Sequence, residues 1–231
     1  MNQKLKLDDD VRPILVRMED SIILDLFERA QFKTNDIAYT IGGLEIPEFK
    51  VSFFEYLFRG IEEVHAKAGR YEHPEEHSFF DKMPKPIVKR KKVVSPIKIF
   101  DINVNEKIKE IYLEALKSIC IPGDDDHYGS SIVLDIKTLQ DLSRRVHYGN
   151  YVAEAKFQED PEGYSELIKA RNTEGIMERL TNLNVERDLL ERVRTKGKRY
   201  NVNPVLIESF FKDKIIPLTK EVEIEYFYKL E

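Results

Sequence analysis

The 231-residue sequence has no tryptophan, a single cysteine, and only ten glycines and ten prolines. One cysteine, Cys120, excludes an intrachain disulfide and points to a reducing, cytoplasmic setting. Its place after Leu116 and Ile119 on an apolar stripe reads as core filling rather than reactivity. No apolar run approaches the ~20 residues that a membrane helix needs. The charged start, with Asp8-Asp9-Asp10, has none of the apolar core of a secretory signal. Positive charge is not in excess either: the formal net charge is −5, which argues against an electrostatically driven nucleic-acid binder. Strand-type alternation is nearly missing, no internal repeat is present, and there is no P-loop, GxGxxG or nucleophile elbow.

What is there suits one helical domain spanning residues 1–231. Hydrophobic residues make up 42% of the chain. A chain of this size buries roughly 70% of the surface its unfolded form exposes. Val11, Ile14, Leu15, Met18, Ile22, Leu26 and Ala30 recur at helical steps and predict a helix over 11–31. Pro13 is tolerated only in a first turn, which fixes the start near Asp10, where Asp side chains can cap. Further helices are expected at about 50–68, 105–120, 132–158, 161–170, 173–181, 183–200 and 204–230. Residues 69–104, with Pro74, Pro84, Pro86 and Pro96, read as irregular. Long amphipathic helices with short connections imply an all-α multi-helix bundle.

Several polar constellations fall on these helices. Arg145 and Lys156 are eleven residues apart within the expected 132–158 helix. That spacing puts them within about 20° of one face and roughly 16 Å apart along the axis. Gly149 and Val152 lie between them as a low, uncharged floor, so the pair could clasp a small polyanion. Two unrelated surface cations fit the same spacing. Near the C-terminus Thr219 and Glu223 are i,i+4 neighbours and Lys220 and Glu223 i,i+3 neighbours, just after Pro217, which should kink or restart the helix. Asn182 and Glu186 form another i,i+4 pair, and Arg12 projects from the first turn of the first helix. Each pair alone also fits an ordinary solvated face. His73 and His77 are four apart, but Pro74 interrupts any helix that would align them on a metal, so no metal site is expected. The basic run Lys89-Arg90-Lys91-Lys92 reads as a solvated linker, with a phosphate-binding or import patch as the other reading.

Specific strings carry a resemblance. They are Leu15-Val16-Arg17-Met18-Glu19-Asp20-Ser21-Ile22-Ile23, Gly43-Leu44-Glu45-Ile46-Pro47, and Leu142-Ser143-Arg144-Arg145-Val146-His147-Tyr148-Gly149. Val152-Ala153-Glu154-Ala155-Lys156-Phe157-Gln158, Gly175-Ile176-Met177, Thr181-Asn182 and Ile216-Pro217-Leu218-Thr219-Lys220-Glu221-Val222-Glu223 follow in order. Together they resemble the eukaryotic, allosterically regulated chorismate mutases of fungi and plants, and most of all those of yeasts. The resemblance covers nearly the whole chain. It implies an all-helical homodimer that rearranges chorismate to prephenate, in phenylalanine and tyrosine biosynthesis, without a cofactor.

By the same resemblance Arg12, Arg145 and Lys220 hold the two substrate carboxylates, and Lys156 and Glu223 face the ether oxygen. Asn182 and Glu186 lie near the substrate hydroxyl, and Thr219 lines the pocket. The family's effector site, for tryptophan and tyrosine at the dimer interface, maps onto Arg70, Gly129 and Ser130. Gly69 stands where relatives carry one of two adjacent arginines, Val133 replaces a threonine, and the segment around Asn201–Pro204 is shorter than in yeast relatives. These departures imply intact catalysis with weakened effector control. The readings set against it are a catalytically silent helical interaction protein on the same fold, and an adaptor using the Lys89–Lys92 run.

Overall fold

The computed structural model describes residues 4–89, 91, 94–200 and 203–231. Ten α-helices follow one another among them: α1 (Arg12–Arg29), α2 (Phe53–Lys67), α3 (Asn105–Ile119), α4 (Tyr128–His147), α5 (Gly149–Glu159), α6 (Pro161–Lys169), α7 (Thr173–Leu180), α8 (Leu183–Gly197), α9 (Pro204–Phe210) and α10 (Ile216–Lys229). No strand forms among the described residues; Lys33 and Ile121 make an isolated bridge. α1 runs along α4 and α8, and α10 packs on α5, α4 and α7.

The helices form where apolar residues recur at three- and four-residue steps. In α3 the buried positions are Asn105, Ile108, Tyr112, Leu116 and Ile119. In α2 they are Phe54, Phe58, Glu62 and Ala66, and Ser52 caps the first turn by accepting from the Glu55 amide at 3.1 Å. A large central core draws on nearly every helix. A smaller one joins Leu7, Val11, Met18, Ile97, Tyr148, Tyr151, Val152 and Ala155 under the N-terminal segment.

Two prolines shape the ends that matter most. Pro13 and Pro217 each sit second in their helix, and each is preceded by a five-residue π turn, Leu7–Val11 and Phe211–Ile215. The Arg12 amide bonds to the Leu7 carbonyl, and the Ile216 amide to the Phe211 carbonyl. A proline ring collides with the carbonyl four residues back and offers no N–H to it. Widening the preceding turn by one residue removes the collision without ending the helical path. The start expected near Asp10 therefore lies earlier, at Leu7, and Asp10 acts from inside the turn by accepting from the Lys6 amide at 2.9 Å. The single helix expected over 204–230 is α9, a π turn and α10.

The expected helix over 132–158 is also corrected. It begins at Tyr128 and divides at Tyr148 into α4 and α5. The Tyr148 carbonyl accepts from the Tyr151 amide at 3.0 Å and more weakly from Val152 at 3.4 Å, so the turn is tightened there. The Tyr148 ring stacks on Tyr151 at 4.3 Å.

The irregular stretch is anchored rather than loose. The fully buried Glu62 accepts from Ser78 Oγ at 2.7 Å, the Phe79 amide at 2.8 Å and Gln140 Nε2 at 2.7 Å. Glu75 accepts from Tyr151, Glu76 pairs with Arg70, and the His77 ring packs tilted against His147. Of the basic run, Lys89 and Lys91 are exposed; Arg90 and Lys92 lie outside the described residues, as do Asn201 and Val202 of the shortened segment. Cys120 is buried, and burial raises its thiol to about 11, consistent with core filling.

Candidate active site

A cavity opens where the N-terminal π turn, α1, α4, α5, α8 and α10 converge. It spans about 670 Å³ of space between atoms, part of it open solvent. Its wall includes Arg12, Arg145, Lys156, Asn182, Glu186, Thr219, Lys220 and Glu223. The eight residues singled out in the sequence thus meet in one place, drawn from five helices. Val152 forms part of the floor. Gly149 has another part: a Cβ there would lie 3.2 Å from Glu223 Cγ, Thr219 Cγ2 and the Thr219 carbonyl, so its bareness lets α10 come close to α5. Arg145 and Lys156 do not share the continuous helix expected for them, since Tyr148 divides α4 from α5. The tightened turn nonetheless leaves both on the cavity.

The cations are held in fixed positions. Arg145 is buried; its Nε and Nη2 donate to Glu19 Oε1 at 3.1 and 2.8 Å, and its Nη1 to Thr219 Oγ1 at 2.9 Å. Thr219 in turn donates to the Ile215 carbonyl at 2.8 Å, a carbonyl of the π turn. Lys156 Nζ donates to the carbonyls of Arg179 and Leu180, at 3.0 and 2.9 Å. Lys220 Nζ donates to Thr181 Oγ1 at 3.0 Å and pairs with Glu186 at 2.8 Å. Arg12 pairs with Asp8 at 3.0 Å across the N-terminal π turn and stays one-third exposed. Asn182 is exposed at the rim; its Oδ1 accepts from the Asn184 and Val185 amides and caps α8, leaving its amide N–H groups for a ligand.

Glu223 is the acidic member. It is only 6% exposed. Burial disfavours its ionised form, while Lys156, Arg145 and Lys220 favour it; burial wins, and its carboxyl is pushed up to about 7 from 4.5. Sequence could not decide that contest. Lys156 moves the other way: burial lowers its ammonium, opposed by Glu223 and assisted by Arg12.

Glu19 and Arg192 escaped the sequence reading. Glu19 is buried between the guanidinium groups of Arg145 and Arg192, and Asp20 binds Arg192 and Lys196 beside it. Breaking a buried pair typically costs 3–5 kcal/mol, so Glu19 fixes where Arg145 sits. A signal existed: Glu19 lies four residues after Leu15, on the stripe of α1 that faces inward.

The effector candidates are not brought together. Arg70 Nε pairs with Glu76 at 2.7 Å, and its Nη1 donates to Gln140 Oε1 at 2.8 Å. Gly129 and Ser130 are exposed in the first turn of α4. Ten residues of helix, roughly 15 Å, separate Ser130 from Gln140.

The comparison with known proteins is consistent along the chain. A chorismate mutase of Schizosaccharomyces pombe is 40% identical over 243 residues, covering 98% of this chain and 96% of that protein. The chain belongs to the chorismate mutase family. Within it, residues 128–224 match the pattern of chorismate mutase type II. The Candida albicans chorismate mutase solved in complex with L-Trp superposes with a TM-score of 0.89 at 36% identity, covering 98% of this chain and 94% of that one. AtCM1 with tyrosine bound in its allosteric site gives 0.91 at 38%, covering 99% and 98%. The all-helical fold is thus that of chorismate mutases, and the activity is the isomerisation of chorismate. No helix among the described residues is long and apolar enough to cross a membrane.

Proposed function

We propose that the cavity between α1, α4, α5, α8 and α10 is where this chain, acting as one domain over residues 1–231, rearranges chorismate to prephenate. Chorismate carries two carboxylates and an enolpyruvyl ether. In the reaction one C–O bond breaks and one C–C bond forms inside the same molecule, so no atom or electron is exchanged with the protein. The protein's task is to fold a flexible dianion into a compact conformer and to stabilise charge growing on the ether oxygen.

Arg12, Arg145 and Lys220 supply three positive charges for two carboxylates. Glu19, Thr219 and Thr181 already hold the cationic groups of Arg145 and Lys220, so little ordering is left to binding. Lys156 and protonated Glu223 face the ether oxygen as donors. A donor aimed at developing charge in a dry site supplies about 3–4 kcal/mol. Asn182 and Glu186, at the rim, take the hydroxyl end, and Thr219 packs beside the substrate. The observation that carries the reading is the meeting of Arg145, Lys156 and a buried Glu223 whose carboxyl is pushed up to about 7. Lys156→Ala tests it. We expect kcat to fall at least about 100-fold with the fold retained; a folded variant within fivefold of the parent would remove Lys156 from the reaction.

The chain acts as a homodimer in the cytoplasm. One face of α2 is uncovered, with Val64 62% and Tyr56 40% exposed beside Phe49 at 52%. A second copy set there would also offer Gly129 and Ser130 to the Arg70 of its neighbour, forming an effector site for tryptophan or tyrosine that one chain lacks.

A further inference from the structure

The turn that joins α7 to α8 reaches two of the pocket's cations at once. The carbonyls of Arg179 and Leu180, at the end of α7, accept from Lys156 Nζ. Carbonyls at a helix end lack partners within the helix, so a lysine there satisfies them. The next residue, Thr181, accepts from Lys220 Nζ at 3.0 Å. Its own hydroxyl proton goes to the Met177 carbonyl at 2.8 Å, which fixes the lone pair that Lys220 meets. The turn is itself braced: Arg179 pairs with Asp160 and lies over the Tyr164 ring at 5.7 Å.

An ammonium has three donors. Lys220 gives one to Thr181 and one to Glu186, leaving the third for a ligand in the cavity it lines. The two partners differ in what they do to its charge. Glu186 neutralises the ammonium and competes with an incoming carboxylate. Thr181 is neutral, so it orients the group while leaving the whole charge for the ligand. Thr181 itself is half-buried and does not line the cavity.

We propose that Thr181 is a positioning residue for substrate binding, acting through Lys220. The proposal rests on the reading of Lys220 as a holder of a substrate carboxylate. A carboxylate is held alike in the ground state and the transition state, so the effect falls on KM more than on kcat. Thr181→Val keeps the shape and removes the acceptor. The Met177 carbonyl still accepts the residue 181 amide at 3.0 Å, so α7 keeps its end.

The experiment measures kcat and KM for chorismate in Thr181→Val, Thr181→Ser, Lys220→Ala and the Thr181→Val/Lys220→Ala double variant. We expect KM to rise about tenfold in Thr181→Val with kcat within threefold, the size expected for losing a hydrogen bond to a charged group. Thr181→Ser should stay within threefold of the parent. The double variant should match Lys220→Ala within twofold. A Thr181→Val enzyme with unchanged KM overturns the proposal. So does an equal further loss in the Lys220→Ala background, which would make the role of Thr181 merely structural. If Thr181→Val does not fold, Thr181→Ala is read by the same criteria. A Lys220→Ala enzyme with parental KM would instead sink the role of Lys220, a separate outcome.

Discussion

Replacing Glu223 by glutamine should flatten the pH dependence of the enzyme at its alkaline side. The ether oxygen of chorismate gains negative charge as its bond breaks, so an ionised carboxylate opposite it repels and a protonated one donates. Burial holds the Glu223 carboxyl at about 7 in the folded chain, against 4.5 for a free glutamate, with Lys156, Arg145 and Lys220 pulling it down and Glu186 pushing it up. At pH 6 most of it is protonated. At pH 8 about a tenth is, and each further pH unit removes about tenfold more. kcat/KM reports groups of the free enzyme, so it should drop about tenfold from pH 6 to pH 8. Glu223→Gln keeps a donor of the same shape and should lose that limb. Lys156, lowered by burial, leaves a shared fall at higher pH.

The same shift acts on stability. Between 4.5 and about 7 the folded chain binds more protons at Glu223 than the unfolded chain does, so stability falls as pH rises. The cost is absent below 4.5 and complete above about 7, where it reaches roughly 3 kcal/mol at about 1.4 kcal/mol per pH unit. The assay is a kcat/KM profile from about pH 5.5 to 8.5 for both proteins, with urea midpoints at about pH 5 and pH 8. Identical profiles, or a parental rate that rises through pH 7, would refute the reasoning.

Other perturbations follow from the packing. In Gly149→Ala the new methyl meets the Thr219 carbonyl and the Glu223 and Thr219 side chains at 3.2 Å; forcing α10 away should cost about 1–3 kcal/mol and at least about tenfold in kcat, read by thermal melts and chorismate turnover. Gly69 has φ +82, so Gly69→Arg should cost about 1–2 kcal/mol and lower Tm by a few degrees rather than simply return a missing guanidinium. With glycine in place, tryptophan and tyrosine should change the rate weakly and leave the saturation curve near hyperbolic; strong sigmoidicity abolished by micromolar tryptophan would contradict this.

Much of this was written in the sequence. Helices with a clean apolar stripe, such as α3 with Ile108, Tyr112, Leu116 and Ile119, appear within a residue or two of their expected bounds. Pro217 signalled the restart of the last helix. Other features leave no mark on the hydrophobic period or depend on groups distant in sequence. The division at Tyr148 comes from a ring stack and a tightened hydrogen bond, and neither alters the hydrophobic period. The π turn before Pro13 answers a clash whose relief could have been a break. The cavity residues could be singled out, but their order of protonation could not, because the Glu223 value is a balance between burial and three cations, two of them on other helices. Arg29 and Asp135 were missed altogether. They form a fully buried pair, with Tyr112 donating to Asp135 at 2.6 Å, on stripes where apolar residues were expected.

The most direct measurement follows the loss of chorismate absorbance for the purified parent, Arg145→Ala and Arg144→Ala. Arg145 is buried in the cavity wall on Glu19 and Thr219, whereas the neighbouring Arg144 side chain is 40% exposed and reaches Glu75 and Glu76 only at 3.8 and 3.5 Å. Arg192 remains on Glu19 when Arg145 is removed, which favours a folded variant. The account predicts turnover by the parent, a loss of at least about 100-fold in kcat/KM for Arg145→Ala, equal to about 2.7 kcal/mol, and a loss below about fivefold for Arg144→Ala. A folded Arg145→Ala enzyme within fivefold of the parent would contradict it.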